Sequence, residues 1–257
     1  MADEETKELN AIDVYTNNFN VSSYWFIIVT IIFFIIKIIN IPSTLLDKYD
    51  KNNLAYENFT DKISTILYIF LVIMEMVYFN TEIIRAKCGP GANTSYLVFL
   101  TTFFPWLSIF GMLYVLLTLF NGWKAPFSNT FGYIITMNFL GGKSKIKQLL
   151  ASKDEKKGDD FNRTQSIIKD NIANVINDFA PDNIGALHEL SEINKLFKPY
   201  STTGQTDEQN KRTKKIYNEF AKLVIAKDYI SEFIWFILTG IIIINISTNY
   251  ILEQNCI

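Results

Sequence analysis

Four long apolar blocks constrain the fold of this 257-residue chain more than any other feature. They cover residues 24–41, 63–79, 96–120 and 230–251, and the third block contains no charged residue. A helix needs about 20 predominantly apolar residues to cross a hydrocarbon core of roughly 30 Å. The four blocks therefore predict an all-α integral membrane protein with four transmembrane helices.

These blocks also divide the chain into segments. Pro42 is expected to end the first helix, and Pro105 predicts a kink in the third. The predicted organisation is an acidic N-terminal tail at 1–23, three transmembrane helices with an interfacial segment at 24–142, a helical polar region at 143–229, and a fourth transmembrane helix with a short tail at 230–257.

The polar region, residues 143–229, contains 16 basic and 13 acidic residues. Apolar residues recur in it at helical spacing, which predicts amphipathic helices on both sides of Pro181. The two stripes are Ile167, Ile168, Ile172, Val175, Ile176, Phe179, and then Leu187, Leu190, Ile193, Leu196, Phe197. Thr206 and Gln209 have the spacing of a capping box, which predicts a third helix start. Since no breaker follows, this helix is expected to run into the fourth block.

Lys37 and Glu75 are charged residues inside the first and second predicted spans. Lys37 is near one end of the first helix and Glu75 near the opposite end of the second, so their depths differ by roughly 13 Å. Each side chain is expected to extend to its nearer membrane surface. The alternative is an ion or proton path that uses Lys37, Glu75 and Asn245, because charges within a membrane are costly and often functional.

The segment after the third block is expected to form a tight turn at the membrane surface. Gly122 is expected to end a helix, Trp123 and Lys124 to lie at the lipid headgroups, and Ser128 or Asn129 to cap a following helix. Residues 131–140 are apolar but too short to span, so they are expected to be interfacial, re-entrant or packed against the bundle.

Basic residues near the blocks predict the sidedness. The loops that contain residues 42–62 and 121–229 are richer in lysine than the termini and the 80–95 loop, so the positive-inside rule places the polar region in the cytosol. Cys88 and Cys256 then share the other side, where disulfides form, and we predict that they are bonded. The alternative is that two cysteines share a side by chance.

Composition argues against several functional classes. A net charge of −2 gives no basic surface for nucleic acid, and two cysteines with one histidine, His188, cannot make a four-thiolate zinc site or a poly-His metal site. His188 is expected at the surface. The chain contains no recognisable catalytic or phosphate-binding motif. We therefore expect no enzyme activity, no cofactor, no metal and no nucleic-acid partner.

A resemblance adds a biological setting. The chain carries Phe104-Pro-Trp106 and the run NGWKAPFSNTFGY at 121–133, and Ile, Asn and Lys make up about a third of it. Over about residues 96–140 it resembles membrane proteins of large icosahedral double-stranded DNA viruses, including membrane-anchored minor capsid proteins. The resemblance implies a structural role in a virion inner membrane, after residence in a host membrane of the ER type.

The predicted partner is a capsid or minor capsid protein, bound by the 143–229 region. Candidate contact residues are Lys211, Arg212, Lys214 and Lys215, which we call the basic cluster, together with Trp123 and Lys124. The alternatives are a small channel or transporter and a protein that remodels host membranes.

Overall fold

The computed structural model describes residues 2–46, 59–89, 94–150, 159, 162–163, 166–167, 170–187, 197–198 and 206–253, with the side chains of 2–19, 59–60, 94 and 172–174 left out. Over these residues the chain is helical, and Leu150 and Phe197 form an isolated antiparallel bridge. The helices are α1 (Ala2–Ile39), α2 (Phe59–Cys88), α3 (Thr94–Val98), α4 (Gly111–Leu119), α5 (Ala125–Phe127), α6 (Tyr133–Asn138), α7 (Gly142–Leu149), α8 (Ile172–Asn177) and α9 (Asp207–Glu253).

Four helical stretches are long and apolar enough to cross a membrane. They are Asn20–Ile39, Asp61–Cys88, Ser95–Leu119 and Asp207–Glu253, and each contains one of the predicted blocks almost entirely. The prediction of four such helices is confirmed. The first helix begins at Ala2, so most of the segment predicted as a tail is helical.

Pro105 interrupts the third helix in a specific way. It lies between two π-helical turns, Phe99–Phe103 and Trp106–Phe110. Proline has no N–H group and its ring collides with the preceding turn. The wider π turn relieves this conflict, and the Gly111 N–H then bonds to the carbonyls of Trp106 and Ser108.

Helix α9 confirms two predictions about the second half of the chain. The Thr206 hydroxyl accepts the Gln209 N–H at 3.4 Å, and the Gln209 amide oxygen accepts the Thr206 N–H at 3.3 Å, which is the predicted capping box. The helix continues for 47 residues without a break into the fourth apolar block.

The chain forms two compact units. Unit 1 comprises residues 1–36, 58–120 and 233–257, and unit 2 comprises residues 37–57 and 121–232. Unit 2 is therefore larger than the predicted polar region, since it also takes in the first loop and the segment that follows the third apolar block.

Aromatic rings form the core of unit 1. The Phe236 ring is fully buried and contacts the rings of Phe34, Tyr68 and Phe110 at centroid distances of 5.5, 5.9 and 4.8 Å. The hydroxyl groups of Thr30 and Tyr68 are 2.6 Å apart. Gly240 lies against the Phe26 ring, where a larger residue would collide. Many large apolar side chains on the outside of this unit are exposed, as expected for a lipid-facing surface.

The α9 segment 220–232 forms the core of unit 2. Every residue in it except Lys222 is buried. A helix that is buried on all sides is a core element rather than a surface one. Four members of the two predicted stripes are buried, namely Ile176, Phe179, Leu187 and Phe197, and the Phe179 ring contacts the Phe220 ring of this segment.

One member of those stripes departs from the prediction. Ile167 is exposed, so the first stripe does not bury its whole length. Ile168, Leu190, Ile193 and Leu196 lie outside the described residues, as does His188.

Candidate functional site: a buried charge cluster in unit 2

The most unusual feature of unit 2 is a group of buried charges on α9. Lys37 and Glu232 form an ion pair with 3.1 Å between Nζ and Oε2, and their side chains are only 4% and 8% exposed. The Lys37 ammonium also lies 4.4 Å from the centre of the Tyr229 ring, a cation–π contact. The prediction that Lys37 extends to the membrane surface is therefore wrong, because Glu232 supplies a partner inside the protein.

A second ion pair lies one turn earlier on α9. Lys124 Nζ is 2.8 Å from Asp228 Oδ2, and both side chains are largely buried. The Ser231 hydroxyl donates to the Lys124 carbonyl oxygen at 2.6 Å. These two bonds attach the segment that follows the third apolar block to α9. The sequence predicted that Lys124 would lie at the lipid headgroups. The structure instead directs its side chain into unit 2, toward Asp228.

Lys227 is the third buried cation. Its ammonium donates to Asn129 Oδ1 at 3.1 Å, to the Ile176 carbonyl oxygen at 2.9 Å and to Asn177 Oδ1 at 3.3 Å. An ammonium group has three donors, so its hydrogen-bonding capacity is filled. Asn129 therefore binds Lys227 instead of capping a helix, and Ser128 makes no side-chain cap either.

This arrangement holds segments of unit 2 together. Three lysines and two carboxylates from distant parts of the chain are bonded to one another or to amide and carbonyl oxygens, so each of these charged groups has a bonded partner inside the unit. Within the described residues, no group of three or more His, Cys, Asp or Glu side chains could hold a metal ion. The bonds of these groups connect α9 to the end of α1, to the segment that follows the third apolar block and to α8.

Gly132 allows α9 to come close to the segment before α6. A Cβ atom at this position would lie 2.6 Å from the Lys227 carbonyl oxygen and 2.8 Å from Lys227 Cγ. The carbonyl belongs to the backbone of a buried helix, so it cannot move aside easily. Contact at this distance therefore requires glycine.

We expect Gly132→Ala to lower the free energy of unfolding by about 1–3 kcal/mol, because it overpacks this contact. Gly142→Ala is the matched control, since its Cβ would meet the flexible Cε and Sδ atoms of Met137 and would lie 3.0 Å from the Thr136 carbonyl oxygen, a longer backbone contact than the one at Gly132. Chemical denaturation of the purified variants in detergent measures both. Equal losses for the two variants would show that the Lys227 contact does not determine the effect.

The basic cluster lies near the start of α9. Lys211, Arg212 and Lys215 are exposed and Lys214 is half-buried. Arg212 pairs with Glu208 at 2.7 Å on the surface, a contact that contributes little to stability. Trp123 is half exposed in a short 3-10 turn, Asn121–Trp123. The structure therefore leaves most of the predicted contact residues accessible, with Lys124 as the exception.

Two further predictions concern Cys88 and Glu75. Cys88 ends α2 and takes part in a disulfide bond. Cys256 lies outside the described residues, so its pairing with Cys88 stays a prediction.

Glu75 Oε2 is buried and has no hydrogen-bond partner in the part of the chain that the structure describes. Asn245 donates to the Ile241 carbonyl oxygen in its own helix.

The carboxylates that pair with the lysines, Asp228 and Glu232, were not among the predicted site residues. Asp228 and Glu232 are four residues apart at the start of the fourth apolar block, so they lie on one face of the helix. Charged residues with this spacing at the edge of a predicted span are a usable signal. It could have indicated that partners for Lys37 and Lys124 were available on α9.

Comparisons of the chain with protein-family models, with the curated proteins and with the solved structures found no match. The functional conclusion therefore depends on the residues described above and on the resemblance of the segment 96–140.

Proposed function

We propose that this chain is an integral membrane protein with a structural, non-enzymatic role. Its four apolar helices anchor it in the bilayer, and unit 2 binds another protein at the membrane surface. In the setting that the resemblance implies, the membrane is the inner membrane of a large icosahedral DNA virus and the partner is a capsid or minor capsid protein.

The pairing of the buried charges of unit 2 carries this proposal. The ammonium groups of Lys37, Lys124 and Lys227 are all bonded inside the unit, so they are not available to a partner. Lys211, Arg212 and Lys215 remain exposed on a continuous helix and can contact an acidic surface. A shaped unit with an exposed basic cluster suits protein binding, because complementary charge gives specificity and speeds association.

Replacement of all four residues of the basic cluster by serine is the direct test. We expect normal membrane insertion, because the apolar helices are unchanged, and a severalfold fall in incorporation into virus particles. Quantitative mass spectrometry of purified particles, before and after the membrane is stripped with detergent, measures the incorporation.

Arg85→Ser is the matched control, since Arg85 is an exposed cation paired with Glu82 in unit 1. We expect it to leave incorporation unchanged. If the four-residue variant is incorporated as well as the parent chain, the partner does not bind at the basic cluster. If the parent chain is absent from purified particles, the virion role itself is wrong.

Glu75 favours a second candidate function, a channel or transporter. A buried carboxylate oxygen with no bonded partner among the described residues is a candidate for binding a proton or cation. On this alternative, Glu75→Gln should reduce proton or cation flux in reconstituted vesicles by an order of magnitude or more. The structural proposal instead predicts no protein-dependent flux for either chain.

A further inference from the structure

The helical segment from Ser128 to Asn138 in unit 2 exposes its apolar side chains and buries its small and polar ones. Ser128, Gly132 and Thr136 are buried at a spacing of four residues. Phe131, Ile135 and Phe139 are exposed at the same spacing, and Phe139 is 78% exposed. Residues four apart lie on one side of a helix, so each set forms one row along the segment, and the two rows lie side by side, one buried and one exposed.

The buried face is determined by contacts within unit 2. Gly132 lies against the backbone of Lys227. The Thr136 hydroxyl is satisfied by the Gly132 carbonyl oxygen at 2.8 Å, so it can be buried without an unpaired donor. Met137 is packed beside Gly142. The segment therefore cannot rotate its apolar side inward without losing these contacts.

The exposed face, which we call the outer face, is defined by Phe131, Ile134, Ile135, Phe139 and Leu140. A helix of a soluble protein turns such residues toward the core. Five large apolar side chains gathered on one exposed surface indicate that something apolar covers them. The candidates are the bilayer, a second copy of this chain and another protein.

We infer that the outer face lies in the lipid headgroup region of the same membrane that the four apolar helices cross. This inference rests on the proposed membrane integration and adds a site to it, a lipid-docked surface of unit 2.

Sequence continuity favours lipid as the occupant. The segment begins soon after α4 ends at Leu119, next to the end of the third apolar block, which the proposed membrane integration places at a membrane surface. Trp123 lies between the two, and Trp is enriched at that depth of a bilayer. Asn121–Trp123 and Ala125–Phe127 form short helical turns, so the chain between Leu119 and Ser128 covers much less than the roughly 30 Å of a fully extended chain before the outer face begins.

Charge also favours a membrane surface. Lys143 and Lys147 are exposed on α7, directly after Leu140. Cations beside an apolar face are attracted to the anionic headgroups of a cytoplasmic leaflet. An apolar face flanked by lysines is the pattern of a helix that lies in the plane of the interface. This assigns residues 131–140 to the interface, one of the three alternatives that the sequence left open.

Site-specific fluorescence of the full chain tests the inference. An environment-sensitive fluorescent amino acid is introduced by stop-codon suppression at Phe131 or Phe139, and each protein is reconstituted in vesicles of phosphatidylcholine and phosphatidylserine. Spin-labelled lipid reports contact with the bilayer, and iodide on both sides of the bilayer reports contact with water. The same probe at Ile32, exposed in the first span, and at Lys215 gives the lipid and the aqueous references.

We expect spin-labelled lipid to quench the probe at Phe131 and Phe139, and iodide to quench it severalfold less than at Lys215. Quenching by iodide at Phe131 and Phe139, with lipid quenching kept at Ile32, would overturn the inference and leave membrane integration standing. Protection from both quenchers would also overturn it, because protein would then cover the face. Loss of lipid quenching at Ile32 would instead contradict the proposed function.

Discussion

Glu232→Met should lower the free energy of unfolding by about 3–5 kcal/mol, because it leaves the Lys37 ammonium buried without its partner. Lys37→Met should have an effect of similar size, since it leaves the Glu232 carboxylate in the same position. Both side chains are almost fully buried, so water cannot replace the missing partner. Denaturation in detergent micelles, followed by tryptophan fluorescence, measures the change.

The double variant Lys37→Met/Glu232→Met separates this explanation from a simple loss of packing. Removing both charges removes the need to compensate either one, and such replacements are often neutral or stabilising. We therefore expect the double variant to regain most of the stability lost in the single ones. Arg212→Met is the control for an exposed pair and should change stability by about 0–1 kcal/mol. Additive losses in the double variant would contradict the prediction.

Phe236→Ala should lower the free energy of unfolding of unit 1 by about 3–5 kcal/mol, the range for truncating a buried aromatic side chain. The Phe236 ring is completely buried and touches three other rings, so its removal leaves a cavity bounded by several helices. The surrounding rings cannot collapse into that space without losing their own contacts. The same denaturation experiment measures this variant.

Leu238→Ala is the matched control, two residues away on the same helix. Leu238 is exposed, so its truncation should change stability by about 0.5 kcal/mol or less. If the two variants are equally stable, the aromatic cluster is not the core of unit 1. If both lose several kcal/mol, the surface at Leu238 is covered by protein and does not face lipid.

Much of the secondary structure could be predicted because it depends on short-range interactions. The four apolar blocks are long enough to satisfy their backbone groups as helices, and each lies almost entirely within one of the candidate spans. Thr206 and Gln209 are three residues apart, and their capping bonds need no other part of the chain. The absence of proline and glycine from residues 207–239 likewise predicts a continuous α9.

Helix ends could be predicted less well. The apolar blocks mark where a span begins and ends, but polar residues can extend the same helix beyond the hydrocarbon core. Helix α1 accordingly begins at Ala2 and α2 reaches Cys88. At Pro105 the position of the irregularity was predictable from the missing N–H, whereas its form, two π turns, depends on the neighbouring residues.

The positions of the long helices follow from the amino-acid sequence, whereas the surroundings of the charged and apolar side chains depend on tertiary contacts. Lys37 and Glu232 are 195 residues apart, and Lys124 and Asp228 are 104 residues apart, so no local pattern links either pair. The same holds for residues 128–138, whose spacing defines two faces without saying which one is buried. The close approach of α9 at Gly132 determines which face is buried. Only small side chains fit against α9 at this distance, so the large apolar side chains lie on the exposed face.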